Sequence, residues 1–189
     1  MKIRMEMRYF LVLGCFLLSR VDLSAQTEGN RFMPADDGSA ISFTIRNLGF
    51  NTGGSFKGLK GEIFFDPQNP AADSFNVSID AATVNTGNNM RDDHLRADSY
   101  FDVQQYPRIT FRSTSVSAAD RHGRYTVTGN LTIKGITRTI RFPFLATPLG
   151  NDYIFKGSFT INRKDYGVGG TSTLSNQVTI SLTVLAKAG

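Results

Sequence analysis

The residues from Tyr125 to Phe144, YTVTGNLTIKGITRTIRFPF, spell two strands and the turn between them. Tyr125, Val127, Leu131 and Ile133 share one parity, with Thr126, Thr128, Asn130 and Thr132 between them, which describes a strand with one dry and one wet face. Lys134-Gly135 supplies turn chemistry, and Ile140, Phe142 and Phe144 resume the alternation beyond it. So short a gap demands antiparallel neighbours.

The same pattern runs outward in both directions. Ile41-Phe43-Ile45, Phe75-Val77-Ile79, Tyr153-Phe155, Phe159-Ile161 and Val178-Ile180-Leu182-Val184 alternate with polar residues, and Arg108 to Ser117 reads as a further strand. Gly53-Gly54, Lys57-Gly58, Asp66-Pro67-Gln68-Asn69-Pro70, His122-Gly123 and Gly150-Asn151-Asp152 are read as reversals. From Ile41 to Val184 this predicts about eight or nine strands with mostly hairpin connections, for which closure into an up-and-down barrel removes exposed edges. The fold class is therefore all-β, a single antiparallel barrel of about eight strands.

One segment breaks the alternation. Between Gly87 and Asp102 the apolar residues Met90, Leu95, Tyr100 and Phe101 are not spaced as a strand. A short helix fits better: Asn88 or Asn89 can cap it, Asp92 and Asp93 fall early and Arg96 falls late. Such an insertion can lid one barrel mouth. Tyr106-Pro107 ends it, since proline favours an extended entry into the next strand.

Composition agrees with a β fold. Eighteen glycines, fifteen phenylalanines and no tryptophan, with abundant Thr and Ser, favour short strands and tight turns. Residues 1–25 read as a signal peptide, with Lys2, Arg4 and Arg8 in a charged n-region, Tyr9 to Leu18 as the apolar stretch and cleavage after Ala25. That leaves residues 26–189 as one domain, exported to the periplasm or secreted. The apolar run is about half of the roughly 20 residues a spanning helix needs, so no transmembrane anchor is expected. Cys15 in Val12-Leu13-Gly14-Cys15 partly resembles a lipoprotein site, but Phe16-Leu17-Leu18 continue the apolar run past it, which favours an ordinary signal peptide. Cleavage after Ala25 would remove the chain's one cysteine, and lower the formal net charge from +5 to +3. Its basic residues stand singly among Thr and Ser, without the basic stripes interleaved with aromatics that nucleic acid requires.

Candidate chemistry is sparse. His94 beside Asp92 and Asp93 suggests a general base, yet no nucleophile pattern such as G-x-S-x-G accompanies it, so Arg91, Asp92 and His94 read as structural hydrogen bonding or as polar groups at a cavity mouth. No catalytic residue is assigned. The only two histidines, His94 and His122, lack metal-ligand spacing, and Asp36-Asp37 and Asp92-Asp93 lie in no recognisable calcium loop, so no metal is expected. No cofactor is required on this reading.

Three segments carry a resemblance to a known family. They are TGNNMRDDHLRADSYFDVQQYPRITFRST (Thr86 to Thr114), TVTGNLTIKGITRTI (Thr126 to Ile140) and INRKDYGV (Ile161 to Val168). Together they resemble the YceI-like family, secreted lipocalin-like barrels associated with polyisoprenoids and other long amphiphiles. Asn47-Leu48-Gly49 and Lys134-Gly135-Ile136-Thr137 depart from it, standing where His-Leu-Gly and His-Gly-x-Thr are frequent. Arg163 and Asp165 match its Asn-Arg-x-Asp-aromatic-Gly pattern, and are read either as an ion pair locking the next loop or as an anchor for a ligand head group.

The resemblance implies a hydrophobic cavity that binds, stores or transports a long-chain apolar small molecule: a polyisoprenoid, an isoprenoid quinone or a fatty-acid-like lipid. Inward parity nominates Phe43, Ile45, Phe65, Phe75, Val77, Phe111, Val127, Leu131, Phe142, Phe144, Phe155, Phe159, Ile180 and Leu182 as its wall. Two rivals stand beside it: a lipid-processing enzyme, and a barrel filled by its own side chains that serves protein interaction. A homodimer is compatible with all three.

Overall fold

The computed structural model describes residues 30–119, 122–170 and 174–189. The leader, including Cys15 and the cleavage point after Ala25, lies outside the described residues. Eight strands form a closed barrel in sequence order: β1 (Arg31–Asn47), β2 (Phe50–Phe64), β3 (Ser74–Asn85), β4 (Arg108–Ala118), β5 (Arg124–Ile133), β6 (Ile136–Leu149), β7 (Asp152–Asn162) and β8 (Leu174–Ala188). Every neighbour is antiparallel, and β8 pairs with β1 from Phe32↔Ala188 to Asn47↔Leu174, which leaves no open edge. The hairpin expected from Tyr125 to Phe144 is β5–β6, in unbroken register from Arg124↔Leu145 to Ile133↔Ile136. The one α-helix among the described residues, α1 (Asn89–Arg96), sits in the insertion before β4 and is shorter than the segment predicted for it.

Two expected reversals are not turns. Gly53-Gly54 and Lys57-Gly58 lie inside β2, and the chain reverses earlier, at Leu48-Gly49. The glycines of β2 have another use. Gly54 is the cross-strand partner of Phe43, and a Cβ there would stand 2.4 Å from Cζ of that ring. Gly129 lies the same way under Phe111, with 2.5 Å to its Cζ. Glycine removes a side chain so that a phenylalanine can lie flat across the neighbouring strand.

β2 also carries register shifts against β3 between Ser55 and Lys57 and between Lys57 and Lys60. Each bulge resets the alternation, so its buried residues are Phe56, Leu59 and Ile63 rather than a set of one parity. Phe65, predicted as a strand residue of the wall, lies just past the end of β2.

The interior holds two apolar clusters. One, at the end where β2 joins β3 and β6 joins β7, is packed with rings: Phe65 stands edge-on to Tyr125, Tyr153 and Phe155 at centroid distances of 5.2, 5.0 and 5.1 Å. Phe75 meets Phe144 and Phe155 there, each at 5.4 Å. Edge-to-face contacts of this kind each add about 0.5–1.5 kcal/mol beyond area burial, so this end is a plug. The second cluster joins β2, β3, β4 and β5 to the insertion and to the turn after β7 through Phe56, Val84, Ile109, Leu131, Val103 and Tyr166.

Candidate binding cavity

Exposure along the strands shows where the barrel opens. On the inward face of β8, Ala186 and Val184 are buried while Leu182, Ile180 and Val178 are only half-buried; on β6, Phe142 and Phe144 are buried and Ile140 is half-buried. Both gradients run from the plug toward the β1–β2 turn. The space they describe is one apolar cavity of about 280 Å³, lined along its length by Phe43, Ile45, Phe111, Phe142, Phe159, Ile180 and Leu182 among others. At its mouth the lining includes Asn47 and Thr52 from the β1–β2 hairpin, Thr86 and Arg91 beside α1, and Leu174 at the start of β8.

Every wall residue nominated from the sequence lines this cavity except Phe65, which belongs to the plug. Sequence reasoning missed Phe56, Leu59 and Ile63, whose parity the β2 bulges scramble. It also missed Leu95, Tyr100, Phe101, Tyr166 and Val168, which come from segments without strand period. Phe101 stands edge-on to Phe56 at 5.4 Å, so the insertion covers part of the open end, as a lid would. Burial pushes the Tyr166 phenol above its ordinary pKa, which keeps it neutral beside the apolar wall.

The polar groups near the mouth hold backbone. Asn88 caps α1 by accepting from the Arg91 amide at 3.0 Å. Buried Asp92 accepts from the Thr86 amide at 2.9 Å and its hydroxyl at 2.6 Å, while Arg91 donates to the Thr86 hydroxyl at 2.7 Å and carbonyl at 2.9 Å. Arg96 completes the staple, donating to the carbonyls of Ala82 at 2.8 Å and Val84 at 3.0 Å. His94 is exposed, with its ring 4.9 Å from that of Tyr100.

Arg163 is buried in the 3-10 turn Arg163–Tyr166. It donates to the carbonyls of Val168, Gly169, Ser175 and Leu174 at 2.8, 3.1, 3.0 and 3.3 Å. It therefore ties the end of β7 to the start of β8 through carbonyl oxygens, and the expected Arg163–Asp165 ion pair is not among the salt bridges of the described residues. Asp165 is exposed. Among the described residues no group of three or more His, Cys, Asp or Glu side chains is placed to hold a metal ion. No helix among them is long and apolar enough to cross a membrane.

Residues 34–186, nearly the whole barrel, match the model of the YceI-like domain. The chain belongs to the YceI-like family. A UPF0312 protein of Yersinia enterocolitica is 38% identical over 135 residues, which cover 68% of this chain and 69% of the relative. Among solved structures, Burkholderia cenocepacia BcnA superposes with a TM-score of 0.77 at 30% identity, covering 82% of this chain and 99% of BcnA. A Campylobacter jejuni YCEI protein gives 0.62 at 30% identity, over 70% and 82% of the two chains. A polyisoprenoid binding domain from Saccharophagus degradans, implicated in plant cell wall breakdown, gives 0.68 at 16% identity, over 85% and 99%; at that identity the likeness is one of fold. The all-β, lipocalin-like reading of the sequence thus agrees with both the family and the barrel.

Proposed function

We propose that this YceI-like domain binds and carries a long apolar amphiphile, an isoprenoid lipid or isoprenoid quinone before a fatty-acid-like lipid, with its chain in the barrel and its head at the mouth. The supporting observation is a cavity of about 280 Å³ walled by aliphatic and aromatic side chains, plugged at one end and open at the other. The family membership and the polyisoprenoid-binding neighbour support the same class of ligand. The barrel works passively. Each methylene taken from water into the tube gains roughly 0.8 kcal/mol, so affinity is set by chain length without covalent chemistry. Ordinary small-molecule sites span roughly 300–1,000 Å³, so this one fills early and the remainder of a long chain trails through the mouth unless the wall moves.

The head rests near Asn47, Thr52, Thr86 and Arg91, where it selects rather than reacts. Carriage, not turnover, accounts for a mouth whose Asp92 is spent on Thr86 and whose Arg91 staples α1 through Nε and Nη2 while keeping its charge at the surface. On this proposal no metal or cofactor is needed, and the protein is exported, its leader ending at Ala25.

The test is mass spectrometry of a solvent extract of the purified protein, followed by detergent-free titration of the extracted protein with isoprenoids of increasing length. Affinity should rise with length and then level off. No saturable binding at any length would overturn the carrier reading.

A further inference from the structure

The three most exposed large apolar side chains among the described residues are Leu48 at 73%, Phe50 at 79% and Met90 at 84%. All three surround the open end. Leu48 lies in the β1–β2 turn and Phe50 opens β2, and Asn47 and Thr52 of the same hairpin line the cavity mouth; Met90 precedes Arg91, which lines the same mouth from α1. The hairpin also overhangs its neighbour, because β3 reaches only as far as Ser55↔Asn85 along β2. An apolar tip therefore projects beside the entrance.

The fold gains nothing from this tip. Leu48 has φ 48° and Gly49 φ 86°, the left-handed pair that a two-residue hairpin turn demands and that Asn-Gly or Asp-Gly fills best. A leucine there is strained, and its side chain is left in water instead of being buried. Conformational cost without burial points to a contact outside the chain. The charges beside it suggest which contact. Arg46 on β1 and Arg91 on α1 are exposed and form no ion pair among the described residues; Arg91 holds Thr86 through Nε and Nη2 but its charge is not neutralised there, whereas Asp92 is buried against Thr86 and Asp93 pairs with Arg96.

We infer that the β1–β2 turn and the start of α1 dock the open end of the barrel onto a lipid bilayer bearing anionic head groups, Leu48, Phe50 and Met90 entering the interface and Arg46 and Arg91 facing the phosphates. This deepens the carrier reading by naming where the cargo is exchanged: an apolar chain passes from bilayer to tube without crossing water. Apolar insertion and cationic attraction act together in interfacial binding, neither alone being strong.

The experiment is flotation of the solvent-extracted full domain with vesicles of phosphatidylethanolamine and phosphatidylglycerol, and with neutral phosphatidylcholine vesicles, neither containing isoprenoid. The protein should float with the anionic vesicles, less so as salt is raised. Leu48→Asn with Phe50→Ser should lower the partition coefficient at least about tenfold. Arg46→Gln should lower it roughly fivefold on anionic vesicles alone. Leu48→Asn by itself separates docking from folding, because asparagine suits the left-handed turn: melting temperature should hold or rise while partitioning falls. Absence of flotation, or flotation indifferent to Leu48→Asn and Phe50→Ser, overturns the inference. So does a dimer at the same concentration in analytical ultracentrifugation that those substitutions dissolve, which would assign the tip to a second copy. Since no isoprenoid is present, failure here leaves the solution titration of the carrier reading standing, and the reverse also holds.

Discussion

Asp73 shows how a single residue at the plugged end sets a pH response. It is buried, with one carboxylate oxygen accepting from the Asp66 amide at 2.6 Å and the other, Oδ2, without a partner. Burial pushes its pKa up to about 7 from 3.8; the Asp66 amide opposes this and the Asp66 charge adds to it. Between those two values the folded protein keeps a proton that the unfolded chain has released, so the carboxyl's contribution to stability is full at low pH and is lost as pH rises through about 7. Asp73→Asn keeps the acceptor for the Asp66 amide and removes the charge. It should raise the melting temperature at pH 8 and flatten the fall in stability between pH 5 and pH 8, as read by thermal unfolding across buffers. An unchanged profile would place the titration elsewhere. No sequence pattern announced this residue, whose burial comes only with the closed barrel and whose charge reaches the Tyr125 phenol on β5, far away in the chain.

At the scale of elements, the insertion before β4 depends on the staple rather than on its helix. α1 has only eight residues, too few to stand alone, and is held to the end of β3 by Asp92, Arg91 and Arg96. Asp92→Ala would strand the Thr86 amide and hydroxyl, and should cost about 1–3 kcal/mol in denaturant unfolding. His94 is exposed and contributes a ring contact with Tyr100, so His94→Ala should change stability by no more than about 0.5 kcal/mol. The reverse ranking in the same assay would make His94 the pin. The capping residue and the boundary at Pro107 were legible in the sequence because caps and prolines act locally. The β2 turns were misread for the complementary reason: a glycine looks the same in a sequence whether it reverses the chain or makes room for Phe43 on the next strand.

For the whole molecule, period-two alternation was enough to read an antiparallel barrel, since closure follows from strand number and short connections. It could not say how much of the barrel is space. The same inward parity places Phe155 in the plug and Phe159 in the half-buried stretch of wall, and only the three-dimensional meeting of Phe65, Tyr125 and Tyr153 decides which end is solid. That division predicts opposite outcomes for two substitutions. Phe65→Ala excavates the plug, and should cost about 3–5 kcal/mol while the molecules that remain folded still take up ligand. Ile180→Phe with Leu182→Phe instead adds rings to half-buried wall positions facing the cavity, where added volume meets space rather than packed atoms. Its melting temperature should stay within about 4 °C of the parent. Isoprenoid affinity should fall at least about tenfold, because two or more methylenes lose their place in the tube. Thermal unfolding and detergent-free titration of the pair read both quantities. A double variant that melts far lower yet binds as before would mean that the wall is packed and the ligand lies elsewhere.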